Sequence, residues 1–159
     1  MLRASSFCLL ASLLGGAAMG TPPTRIAAPQ LPIASSVEVP AGSRIIYVSG
    51  TVPDPVDKSA PEGSAARFGD TEAQTRSILT KIQVELKKHG AGMGDIVMMR
   101  VFLVAPPGQK QMDFAGMMRG YRMFFATPEQ PNKPARSTMQ VAGLVDPAWL
   151  VEIEVTAAR

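Results

Sequence analysis

The sequence predicts a single α+β domain, a mixed β-sheet with two helices packed on one of its faces. Three features carry that prediction. Apolar residues recur at helical spacing in two stretches, Thr75 to Leu86 and Phe114 to Phe125; a nearly unbroken apolar run, Ile96 to Val104, lies between them; and two strand-like segments close the chain. Two strands, helix, strand, helix, two strands is an order that fits a mixed sheet covered on one side. The opposite face of such a sheet needs a cover, so a homo-oligomer is expected from the pattern itself.

Composition agrees with one globular domain. The chain has 159 residues, of which 46% are hydrophobic and 18% charged, enough for a core and too apolar for disorder. Its formal net charge of +3 is small and its basic residues form no run, so neither a nucleic-acid nor a membrane-surface partner is indicated.

The first 20 residues differ in kind. MLRASSFCLLASLLGGAAMG has a positive start at Arg3, an apolar run from Phe7 to Leu14 and small residues through Gly20, the layout of a secretory signal peptide. The run is too short to span a bilayer comfortably. Export, to a periplasm or to the outside, is therefore expected, with no membrane attachment after cleavage. Cys8 is the sole cysteine and lies in this run, so the mature protein would hold no disulfide. Residues 21–36, rich in Pro, Ala, Thr and Ser and without a period, read as a flexible lead, and residues 37–159 as the folded domain.

Within that domain, SRIIYVSG reads as a strand stopped by Ser49 and Gly50, and the Pro- and Gly-rich stretch up to Gly69 as a loop. Thr71 with Gln74 three residues on suggests a capping box, with Asp70 and Glu72 suited to the positive end of the helix dipole. Thr75, Ile78, Leu79, Ile82 and Leu86 would face the sheet, and the helix would stop at Gly90 in a left-handed cap. The run from Ile96 to Val104 reads as a strand covered on both faces. Phe114, Met117, Met118, Tyr121 and Phe125 mark a second helix, which Gly116 and Gly120 weaken. ARSTMQVAGL and WLVEIEVTAA then form two strands joined by a turn at Asp146 and Pro147.

Elimination narrows the chemistry. A transition-metal site wants clustered ligands, whereas His89 stands alone at a helix end, where a solvated capping role suits it. Nucleophilic triads need a base beside the nucleophile, and one histidine with no mature thiol offers little. GAGMGD follows a helix and precedes a strand, the reverse of a dinucleotide-binding turn. The ten methionines sit mostly at core-facing positions, where packing explains them.

Charge remains. Arg136, among apolar neighbours on a strand, needs a partner. One reading is a structural ion pair with Glu152 or Glu154 of the final strand, and the residues alone favour it slightly. The other is a guanidinium fork that holds a substrate carboxylate while a nearby glutamate handles a water.

The run PARSTMQVAGLVDPAWLVEI, Pro134 to Ile153, resembles the signature of the RidA (YjgF-type) enamine and imine deaminases: Pro-Ala-Arg-Ser, an apolar residue at Met139, Leu144, a spacer, and Val-Glu-Ile. IIYVSG with Pro53, the helix from Gln74, and DFAGMMRGYRMFF extend the resemblance over about Val37 to Ala157. It implies a chorismate-mutase-like fold, a homotrimer with clefts between subunits, and hydrolysis of 2-imino or 2-enamino acids to 2-oxo acids and ammonia, without metal or cofactor. Arg136 falls on the family's carboxylate-binding arginine and Glu152 on its water-orienting glutamate, the catalytic pair. Ser49 and Gly50 fall on its strand-end Ser-Gly, and Thr138 on a small side chain beside the arginine, which together with Arg136 would bind substrate. Glu154 receives no catalytic role. Two positions depart from the pattern: the family's N-terminal tyrosine falls near Ser35 and Ser36, and a helix asparagine falls on Met118. A binding module that holds carboxylates without turnover, or a structural protein on the same fold, are the alternatives.

Overall fold

The computed structural model describes residues 21–159. The expected signal peptide, residues 1–20, lies outside the described residues. Six strands form one mixed sheet: β1 (Thr24–Ala27), β2 (Ala34–Glu38), β3 (Ile45–Thr51), β4 (Ile96–Leu103), β5 (Ala135–Gln140) and β6 (Val151–Ala158). Their spatial order is β1-β2-β5-β4-β6-β3. β5 runs parallel to both β2 and β4, while β6 runs antiparallel to β4 and β3. The helices are a single turn, α1 (Ala65–Phe68), within the stretch expected as loop, then α2 (Thr71–Lys88) and α3 (Phe114–Arg122).

Residues 21–36 are the first correction. In place of a flexible lead, they form β1 and the start of β2, an antiparallel hairpin on the edge of the sheet. Hydrogen bonds tie it down. The Arg25 guanidinium donates to the Gly94 carbonyl at 2.8 Å, the Ala34 amide to the Pro134 carbonyl at 2.9 Å, and the Tyr121 hydroxyl to the Pro32 carbonyl at 2.9 Å. Backbone pairing holds strands whose side chains, largely exposed, show no apolar alternation.

α2 follows its sequence signals with one change. Ile78, Leu79, Ile82 and Leu86 are fully buried, Lys87 and Lys88 sit at the negative end of the dipole, and Gly90 takes φ 65° past the helix end. The cap, however, is Asp70, whose carboxylate accepts from the Ala73 amide at 2.8 Å. Thr71 is the first helical residue, and Gln74 is buried. Its amide donates to the Ala148 carbonyl at 2.9 Å and its oxygen accepts from the Leu150 amide at 2.7 Å, so a polar side chain stitches the start of α2 to the entry of β6.

Both main helices cover the same face of the sheet. The core joins the α2 residues to Met117, Met118 and Tyr121 of α3, to Met99, Val101 and Leu103 of β4, and to Val151, Ile153 and Val155 of β6. Fully burying each large apolar side chain stabilises the fold by about 1.5–3 kcal/mol. Phe114 opens α3, as its spacing predicts, at 43% exposure and outside the core. β4 differs from expectation, being covered on one face only. Met99, Val101 and Leu103 are fully buried, whereas Met98 and Phe102 are half-buried and Arg100 is exposed. The alternating residues of β4 thus separate a helix side from an open side, and the open side continues through Glu152, Glu154 and Thr156 of β6 to Tyr47 of β3, which is 80% exposed.

Candidate functional site

Arg136 belongs to the helix side. It lies opposite Met99 in the β4–β5 ladder, and the pleat points it toward α3. There its guanidinium carbon sits 4.4 Å from the centre of the Tyr121 ring and 5.9 Å from that of Phe114, while Nη2 lies 3.2 Å from the Met118 sulfur. These cation–π contacts and a weak thioether acceptor do not satisfy the fork. Nη1 is buried with no hydrogen-bond partner among the described residues, and so is the Thr138 hydroxyl, which the period-2 repeat puts on the same face. Burial lowers the Arg136 pKa, with the Tyr121 phenol acting weakly the other way; the group remains a cation, since guanidinium does not deprotonate in proteins. A desolvated cation with a free donor, beside a free hydroxyl, is an arrangement that a carboxylate would complete.

Glu152 belongs to the open side. It lies opposite Phe102 in the β4–β6 ladder. Its carboxylate rests on Gly50, so closely that a Cβ at that glycine would come within 1.9 Å of Oε1. The β3–β6 register slips between Val48 and Thr51, which makes a bulge of Ser49 and Gly50 just where the glutamate needs space. Ser49 and Gly50 also line a cleft of about 380 Å³ at the β3 edge, shared with Tyr47, Lys81, Glu85 and His89.

The in-chain ion pairs expected for Arg136 do not form. β4 lies between β5 and β6, so neither glutamate is on the strand adjacent to Arg136, and both point from the opposite face of the sheet. Glu154 pairs instead with Arg100 across the β4–β6 ladder, at 2.6 Å. Arg100 was the missed partner, and its signal was present in the sequence: one cation at an alternating position of an otherwise apolar strand. Two more contacts, those of Tyr121 and Met118 with Arg136, depend on how α3 crosses the sheet, which no local pattern encodes. At the two departures, Ser35 and Ser36 lie in β2, and Met118 occupies the place beside the guanidinium.

The endoribonuclease L-PSP family profile matches residues 26–159. The chain belongs to this family, that of the RidA (YjgF-type) proteins. The chain is 33% identical over 138 residues to 3-aminoacrylate deaminase RutC of Acinetobacter baylyi, covering 87% of this chain and 91% of that protein. Among solved structures, the Rid family protein YyfB of Yersinia pestis superposes with a TM-score of 0.64 at 23% identity, covering 87% of this chain and 100% of that one. TdcF of E. coli with bound serine gives a TM-score of 0.56 at 29% identity, covering 76% and 84%. The RidA-type fold is thereby established for this chain, and the family match begins at residue 26, inside the stretch expected as a flexible lead.

Proposed function

We propose that this chain is a cofactor-free enamine/imine deaminase, acting as an exported homotrimer on small 2-imino or 2-enamino acids. The single observation that carries the reading is the half-buried Arg136 fork on the helix side, whose Nη1 is buried without a partner among the described residues. The one-third identity to a 3-aminoacrylate deaminase supports the reaction class. Arg136 holds the substrate carboxylate, with the Thr138 hydroxyl beside it, and so fixes the imine carbon. Water adds to that carbon and ammonia leaves, giving the 2-oxo acid; an enamine is first protonated at carbon. Glu152 orients the water and takes its proton, which passes to the departing nitrogen. Ser49 and Gly50 line the glutamate's side.

Since Arg136 and Glu152 of one chain face opposite sides of the sheet, the two halves of the site come from different subunits. The open face supplies the contact: Tyr47, Met98, Phe102 and Met139 give it apolar surface, and Arg100 and Glu154 neutralise one another there. Residues 1–20 support export, and cleavage after Gly20 would leave β1, which begins at Thr24, whole.

A second reading, a carboxylate-binding protein without turnover, is favoured by one observation: the Met118 sulfur sits against Nη2, at the helix position where the family resemblance implies an asparagine. Ammonia release from freshly generated 2-imino acids decides between them. Release by the wild type that is lost in both Arg136→Ala and Glu152→Gln supports the deaminase. Carboxylate binding without release, lost only in Arg136→Ala, leaves the binding protein. Neither release nor binding returns the chain to a structural role.

A further inference from the structure

The groups that crowd the Arg136 guanidinium differ sharply in character from the guanidinium itself. Met118 is 7% exposed and puts its sulfur 3.2 Å from Nη2. The Tyr121 ring lies across the fork at 4.4 Å, with its hydroxyl turned away and spent on the Pro32 carbonyl. Phe114, at 5.9 Å and 43% exposed, forms the rim. Apart from the Thr138 hydroxyl, the groups that this chain's described residues set against the cation are a thioether and two aromatic faces.

We infer that this wall is a selectivity element: the site prefers acids with an apolar or aromatic side chain over those with a polar or second acidic one. The inference rests on the reading of Arg136 as a carboxylate site. A carboxylate on the fork uses the one cation and the one free hydroxyl. On the arginine's side of the site the ligand's side chain meets Met118 and Phe114, which offer no hydrogen bond to replace lost water, while the neighbouring subunit's glutamate serves the reacting carbon. A hydroxyl or second carboxylate placed there is desolvated without compensation, whereas methylene or ring surface is buried favourably. Met118 is suited to this because an unbranched thioether adapts to ligands of different shape and packs well on rings. Binding pockets of this kind distinguish ligands by about tenfold or more per added methylene.

Stable 2-oxo acids, the products of the proposed reaction, serve as probes in calorimetric titrations of the full protein. α-Ketoisocaproate and phenylpyruvate are expected to bind at least about tenfold more tightly than pyruvate, hydroxypyruvate or α-ketoglutarate. Met118→Asn is expected to reduce that preference by about tenfold, and Phe114→Ala, at a half-exposed position that tolerates truncation, to reduce it for phenylpyruvate most. Arg136→Ala should abolish binding of every acid. Equal or tighter binding of hydroxypyruvate or α-ketoglutarate by the wild type overturns the inference while leaving the carboxylate site in place, as does a preference indifferent to both wall substitutions. If the wild type binds none of these acids, the carboxylate reading falls and the selectivity with it.

Discussion

Arg136 and Glu152 stand on opposite faces of one sheet, the first opposite Met99 and the second opposite Phe102 on the strand between them. Residues three apart on a strand point to opposite sides, so no rotamer change brings the two side chains together within a chain. Under the proposed function, the relationship makes the pair two half-sites in place of one. Each residue has its own local setting: the arginine lies against Tyr121, Phe114 and Met118, the glutamate against the Ser49–Gly50 bulge.

Gly50 is the tightest element of the glutamate's half-site. A Cβ there would lie 1.9 Å from Oε1 and 2.9 Å from Cδ of Glu152, so Gly50→Ala must displace the carboxylate. A displacement of about 1 Å at a water-positioning group costs on the order of a hundredfold in rate. Steady-state ammonia release should fall by that factor in kcat/KM, with circular dichroism unchanged; full activity would mean that the glutamate's placement on Gly50 is irrelevant to turnover.

Gly120 fixes the distance between the two helices. A Cβ there would lie 2.8 Å from Thr75 Cβ and 3.0 Å from the Glu72 carbonyl oxygen, and the latter, being backbone, cannot rotate away. Alanine would gain about 1 kcal/mol of helix propensity. Overpacking of about 1–3 kcal/mol outweighs it, so Gly120→Ala is expected to lower stability in urea unfolding. A stabilised variant would show that α2 and α3 separate freely.

Tyr121 links stability to alkaline pH. Burial raises its phenol pKa well above the ordinary value, Arg136 acting weakly against it. The folded state therefore keeps the proton longer than the unfolded chain. The stabilisation is complete below the unfolded value of about 10 and is lost progressively as pH climbs past it. Tyr121→Phe should remove that alkaline decline and, at neutral pH, cost about 1 kcal/mol through the lost hydrogen bond to the Pro32 carbonyl. Unfolding curves of both proteins between neutral pH and pH above about 10 check the sign; parallel profiles would refute the linkage.

Much of the fold was legible because its strongest signals are local. The spacing of Ile78, Leu79, Ile82 and Leu86, the glycine after the helix, and the alternation of VEIEV each specify one element without help from the rest. The β1–β2 hairpin was illegible because TRIA and ASSVE bury little; contacts far along the chain, Arg25 to Gly94 and Tyr121 to Pro32, hold it. Thr71 and Gln74 matched a capping box, yet Asp70 caps better one residue earlier, which frees Gln74 to bond across to Ala148 and Leu150. For the candidate site, residue identities could be read, but which residues meet could not. Strand order decides that, and the insertion of β4 between β5 and β6 is a property of the whole chain.

The central claim, that each site takes Arg136 from one subunit and Glu152 from another, is tested most directly by co-expressing Arg136→Ala and Glu152→Gln chains and assaying the mixed oligomers. Each variant alone should be inactive. Random mixing would place an intact arginine and an intact glutamate together in about a quarter of the interfaces, restoring about a quarter of wild-type ammonia release. Mixed oligomers as inactive as either parent would contradict the shared site.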